Sequence, residues 1–204
     1  MKTLVVKYLP RGEASNTKRL LDAFLQQARP AQLETLDLTI YQPEFFGPES
    51  LGAYIHRNYF GQALTPSEAE SIASMDRMVK QFKSAGVVVM ATPMFNFSVP
   101  GAIKTYFDCI MMKDETWEIR DGAYAGLMQG RRAVALVTTG GIYEGMWASY
   151  DLATPLLKTE FDFMGFDEVQ IIMAQGLNAR PAEAPDILAR AEEQARALAK
   201  RWYG

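Results

Sequence analysis

At 204 residues with 49% apolar side chains, the chain can bury a core without disulfide or metal staples and is too apolar to remain disordered. A net charge of -3 excludes the basic field of a nucleic-acid binder. One cysteine, Cys109, and one histidine, His56, exclude a disulfide framework and a classical zinc site.

Residues 1–8 contain no long apolar leader stretch, and no run approaches the roughly 18 apolar residues of a membrane helix. A cytoplasmic protein without membrane insertion, metal or nucleic-acid partner is therefore expected. In chain order, residues 4–8 form a short β-branched apolar run ending at Pro10-Arg11-Gly12, which predicts a buried strand and then a loop. From Asn16, the residues Leu20, Leu21, Phe24, Leu25 and Ala28 fall on one helical stripe, which Pro30 stops. Leu33, Leu36 and Leu38 predict a weaker second strand. Residues 39–65 carry Tyr41, Phe45, Phe46, Tyr54, Tyr59 and Phe60, too apolar for a linker, and predict an ordered excursion packed over another part of the fold.

Thr65 is placed to cap a helix over 66–84 with Pro66 in its first turn and Ile72, Met75, Val79 and Phe82 on one stripe. Residues 86–91 are apolar on both faces, as a central parallel strand must be when helices cover both sides of the sheet. Downstream, the pattern predicts a helix over 100–112, a loop over 122–130 and a strand over 133–137. A helix over 147–164 despite Pro155, a strand over 169–173 and an amphipathic helix over 185–202 complete it. Five strands alternating with five helices predict one doubly wound α/β domain over residues 1–204, a parallel sheet with helices on both faces.

In such sheets ligands bind beyond the carboxyl ends of the strands. Three loops leave the predicted sheet at that edge. Ser15, Asn16 and Thr17 open a helix and offer hydroxyl, amide and backbone N–H groups, which suits either a phosphate or ordinary N-capping by Ser15. No GxGxxG or GxxxxGK[ST] pattern points to a dinucleotide or a nucleoside triphosphate. The second loop, 92–101, places Pro93, Met94, Phe95 and Phe97 around Asn96, an apolar face with an amide in its middle. A planar amphipathic ring such as isoalloxazine needs that combination. The same residues also suit a staple onto the next helix, with Ser98 as cap and Pro100 near its first position. In the third loop, Thr138, Thr139, Gly140 and Gly141 allow either a close backbone approach or a tight turn.

Together these residues carry a resemblance. Along almost its whole length the chain resembles the flavodoxin-like NAD(P)H:quinone oxidoreductases and FMN-dependent azoreductases. The resemblance rests on Ser15-Asn16-Thr17 with Leu20, on Pro93-Met94-Phe95-Asn96-Phe97 with Lys104 and Asp108, and on Gly140-Gly141. It implies a five-stranded flavodoxin-like sheet of order 2-1-3-4-5, FMN as cofactor, NADH or NADPH as electron donor, a quinone or azo acceptor, and a homodimer. It further implies that Ser15, Asn16 and Thr17 hold the FMN phosphate, that residues 93–97 hold the ring, and that residues 138–141 flank its pyrimidine side. The chain departs from the family's pattern at Tyr8-Leu9, where azoreductases commonly keep a serine. It departs again at Thr138-Thr139, where they often have Ser-Arg, and in a longer aromatic excursion over 54–60.

Tyr143 is a candidate proton donor to the reduced acceptor, or an ordinary half-buried tyrosine. His56 reads as a surface residue. Trp117 is expected to cover the flavin or join a subunit interface, and Cys109 to be inert packing. Arg131-Arg132 read as a solvated strand start, with a nicotinamide phosphate contact as the alternative. The competing functional classes are a one-electron flavodoxin-type carrier, a regulatory or interaction flavoprotein of an ion-efflux system, and an interaction domain with a degenerate flavin site. A modest net charge weighs against the first.

Overall fold

The computed structural model describes residues 1–204. Its central sheet is built from β1 (Lys2–Lys7), β2 (Gln32–Asp37), β3 (Val87–Pro93), β6 (Arg132–Thr138) and β7 (Glu168–Ala174). These pair in parallel in the order β2-β1-β3-β6-β7, which is 2-1-3-4-5 counted over the sheet strands alone. Between β1 and β3 the connections turn in opposite directions, so loops diverge there and leave a crevice at the carboxyl edge.

The strands alternate between two cores. Leu4, Val6, Val88, Met90, Ala133 and Ala135 face helices α3 (Pro66–Lys83), α4 (Gly101–Ile110) and α5 (Ala153–Phe163). Val5, Val87, Val89, Val134 and Leu136 face α1 (Asn16–Gln27) and α6 (Ala184–Tyr203). A strand buried on both faces has no polar alternation to show, which explains the continuous apolar run of β3. β2 lies at the sheet edge and only Leu36 of its six residues is buried, hence its weak signal.

The excursion over 39–65 is ordered and packed on the core, and it contains a helix, α2 (Pro48–Asn58), with Gly47 at its N-cap and Ala53 and Tyr54 buried. Other expectations are corrected. The expected loop over 122–130 contains the second strand of an antiparallel hairpin, β4 (Trp117–Arg120) and β5 (Ala123–Gly126). This hairpin buries Trp117 against Tyr124 and Phe163, with the indole Nε1 donating to the Met111 carbonyl at 3.1 Å. Trp117 is thus packed inside its own chain and neither covers the cavity nor stands exposed for an interface. The expected continuous helix over 147–164 is interrupted. A 3-10 turn (Gly145–Tyr150) precedes α5, because the Asp151 carboxylate accepts the N–H groups of Ala153 at 3.0 Å and Thr154 at 2.9 Å and caps a new start. Pro155 then falls in the first turn of α5, where no helical hydrogen bond is lost.

Candidate active site

The loops after β1, β3, β6 and β7 enclose a cavity of about 200 Å³ that opens to solvent. Nine of the twelve residues expected to hold a cofactor line it: Ser15, Asn16, Thr17, Pro93, Met94, Phe95, Thr138, Thr139 and Gly140. Asn96, Phe97, Gly141 and Tyr143 lie outside its lining, on the same loops. Pro10, Arg11, Leu177 and Asn178 line it as well and had no motif to announce them.

At one end stands the N-terminus of α1. Ser15 is its N-cap, with its hydroxyl accepting the Lys18 N–H at 3.4 Å, so the capping expectation holds. The next two N–H groups, of Asn16 and Thr17, bond to no other backbone group and lie at the positive end of a 12-residue helix. The Thr17 hydroxyl is buried and bonded at 2.6 Å to that of Thr138, so what Thr17 offers a ligand is its N–H. This bond ties the first loop to the end of β6. Arg11 is the one charged side chain in the lining and forms no ion pair. Lys18 nearby is already held by Asp22 and Glu13, whose carboxylates raise its pKa above the ordinary lysine value.

At the other end the chain reverses after Pro93. Phe95 and Ser98 exchange backbone hydrogen bonds of 2.9 and 3.0 Å around Asn96 and Phe97, whose φ angles are +46° and +73°. A two-residue hairpin with both central φ angles positive ordinarily takes Asn-Gly. Asparagine tolerates the first position, whereas phenylalanine at the second costs about 1–2 kcal/mol. Such strain persists where the surroundings over-determine it, commonly at ligand sites. As in any turn closed by its flanking pair, the N–H groups of the two central residues, Asn96 and Phe97, have no backbone partner. The expected Ser98 cap is corrected: Ser98 closes this hairpin, and the N-cap of α4 is Pro100 without a side-chain bond. Beneath the turn, Tyr8 meets Phe95 edge-on at 6.1 Å.

Along the third side, Gly140 and Gly141 also keep their N–H groups free of backbone partners. The loop after β7 buttresses them, with the N–H groups of Asn178 and Ala179 both donating to the Gly140 carbonyl at 3.0 Å. Tyr143 packs edge-on against Phe97 at 6.3 Å, and its hydroxyl curls over Gly141, where a Cβ would lie 3.3 Å away.

The other singled-out residues stand elsewhere. His56, half-exposed on α2, pairs with Glu68 at 2.6 Å. Arg132 opens β6 and Arg131 precedes it, at the sheet edge opposite the cavity, which removes the nicotinamide contact considered for them. Cys109 is buried on α4, its thiol donating to the Glu44 carbonyl at 3.3 Å. No group of three or more His, Cys, Asp or Glu side chains is close enough to hold a metal ion, and no helix is long and apolar enough to cross a membrane.

Residues 1–199 match the model of a protein family described as having a flavodoxin-like fold. The chain is also 30% identical over 201 residues to an FMN-dependent NADH:quinone oxidoreductase of Yersinia pestis (strain Pestoides F), covering 97% of this chain and 96% of the relative. It belongs to this flavodoxin-like family. A second member, FMN-dependent NADH:quinone oxidoreductase 3 of Bacillus anthracis, is 36% identical over 142 residues, covering 69% of this chain and 67% of that one. Among solved structures of the family, an azoreductase from Bacillus anthracis str. Sterne superposes with a TM-score of 0.91 at 26% identity, over 98% of this chain and 99% of the other. An FMN-dependent NADH-azoreductase from Bacillus anthracis str. Ames Ancestor, solved in complex with FMN, superposes at 0.87 with 27% identity, over 100% and 99% of the two chains. The family's sheet order and the crevice at its reversal are those described above.

Proposed function

We propose that this chain is an FMN-dependent oxidoreductase, one domain over residues 1–204, that takes a hydride from NADH or NADPH and passes two electrons to a quinone or azo acceptor. The observation that carries this reading is a cavity with the free N–H groups of a helix N-terminus at one end and Met94 and Phe95 at the other, the loop of these two continuing into a left-handed turn with two more free N–H groups. A ligand with an anionic tail and a flat ring with a polar edge matches that arrangement, and FMN is such a ligand. The names of the family members agree with it.

When bound, FMN supplies the redox chemistry, accepting a hydride from the nicotinamide and returning it to the acceptor. The tasks left to the chain are to bind and to orient. Asn16 and Thr17 N–H groups, with the Arg11 guanidinium, hold the phosphate. Ser15 keeps the helix end in place. Pro93, Met94 and Phe95 would hold the ring, and the Asn96 and Phe97 N–H groups would stabilise charge on its polar edge. Thr138, Thr139, Gly140 and Gly141 would flank its pyrimidine side. Tyr143 would donate a proton from its hydroxyl to the reduced acceptor. The cavity is smaller than the roughly 300–1,000 Å³ of an enclosing ligand pocket. The exposed Trp147 and Tyr150 rings beside Phe97 suit a second copy that completes the enclosure, so the proposal includes a homodimer working in the cytoplasm.

The test is direct. The purified chain should be yellow, bleach on adding NADH or NADPH, and regain colour with a quinone. A colourless protein that FMN fails to stabilise against heat overturns the reading. Sedimentation at twice the 22.8 kDa chain mass supports the dimer, and a monomer at micromolar concentration refutes it.

A further inference from the structure

The strain at Phe97 requires something to hold it. With φ at +73°, the residue would relax unless its neighbours opposed the change. Two contacts do so, and both come from the segment between β6 and α5. The Leu152 N–H donates to the Phe97 carbonyl at 2.9 Å. The Tyr150 ring lies against the Phe97 ring at 5.6 Å and is backed in turn by Trp147 at 5.3 Å. Immediately before Leu152, the Asp151 carboxylate accepts the Ala153 and Thr154 N–H groups and anchors the segment to the first turn of α5. The segment therefore has a fixed base and grips one peptide of the hairpin turn from outside the cavity.

We propose that residues 150–152 act as a clamp that positions the 95–98 turn, holding Phe97 left-handed so that the Asn96 and Phe97 N–H groups face the ring site. Tyr150 and Leu152 are positioning residues: they act through Phe97. This rests on the reading of the cavity as an FMN site, but the mechanical part can be tested without the cofactor.

Leu152→Pro removes the donor. The Leu152 side chain is exposed and Asp151 at φ -76°, ψ +97° is extended, but φ at 152 must move from -99° toward about -65°, so this variant is read beside Tyr150→Ala, which leaves the backbone as it is. Phe97→Gly removes the strain, since glycine accepts positive φ freely. The readout is hydrogen exchange of the Phe95 and Ser98 amides in the chain without FMN, because those two bonds close the turn. Leu152→Pro should accelerate both about tenfold, and in the Phe97→Gly background it should change them less than about twofold. Tyr150→Ala should act in the same direction, and serves as the second variant should Leu152→Pro fail to fold. In the FMN titration, Leu152→Pro should raise the dissociation constant about tenfold, again only when Phe97 is present. Exchange rates indifferent to both variants, equal effects in the two backgrounds, or an unchanged FMN dissociation constant would each overturn the clamp. A wild-type chain that binds no FMN overturns the cofactor reading, and amide exchange then decides the clamp alone.

Discussion

Gly140 has no room for a side chain: a Cβ there would stand 2.5 Å from Nδ2 and 3.3 Å from Cβ of Asn178. Rotating the Asn178 amide away relieves the first clash but not the second, so the loop itself must shift. Gly140→Ala should destabilise the protein by about 1–3 kcal/mol, with a lower thermal midpoint. Adding Asn178→Gly should recover most of that loss, and a double variant no better than Gly140→Ala would show that the contact is not the cause. At the phosphate end, Arg11→Ala should weaken FMN binding about tenfold through loss of one charge-assisted contact, and raising the salt concentration should narrow the gap. Equal affinities at low salt would remove Arg11 from the site. Cys109 behaves in the opposite sense. Burial, helped by the nearby Asp108 and Glu44 carboxylates, pushes its thiol from 9.0 up to about 12. The neutral thiol's contribution to stability is thus complete below pH 9 and is lost as pH rises toward 12. At pH 8 a disulfide reagent should leave the folded chain untouched and titrate one thiol only after unfolding.

Among the elements, α3 shows how far local chemistry reaches. Thr65 and Glu68 form a reciprocal capping box, with Thr65 N–H donating to the Glu68 carboxylate at 2.8 Å. The Glu68 carboxyl is held below its ordinary value by that N–H first and by His56 second, so the box is intact above the carboxylate range and fails as pH falls through it. Thr65→Ala should cost about 0.5–2 kcal/mol in chemical denaturation while leaving FMN affinity unchanged, since α3 contributes nothing to the cavity. This helix is legible in the sequence because Thr65, Pro66 and Glu68 are themselves the start signal. The β4–β5 hairpin is not, because its strands of four residues are too short for a period to stand out, and packing of Trp117 against Phe163 gives it a reason to form. The break before α5 is hidden for another reason: Asp151 reads as an ordinary helical residue until its carboxylate is seen to cap Ala153 and Thr154.

For the whole molecule, cofactor binding and stability are linked, because a ligand bound only by the native state stabilises it. FMN at 100 times its dissociation constant should add about 2.7 kcal/mol. The thermal midpoint should then rise by roughly 5–10 °C for a chain of this size. No shift, in a protein shown to be free of residual flavin, would count against the site.

The five sheet strands with the helices that cover them, the parallel sheet and the three loops at its carboxyl edge were determined by the sequence itself. Burial on one or two faces imposes a period on each segment, and that period is visible residue by residue. Which loops meet was decided only by tertiary structure. Thr17 and Thr138, 121 positions apart, share a hydrogen bond, and Asn178 stands under Gly140. Arg11, which no motif announces, becomes the cavity's guanidinium. The same holds for Phe97, whose left-handed conformation depends on a distant peptide, Leu152, and on rings supplied by another loop. Such contacts leave no period in the sequence, because they arise when loops converge at the point where the sheet's connections reverse.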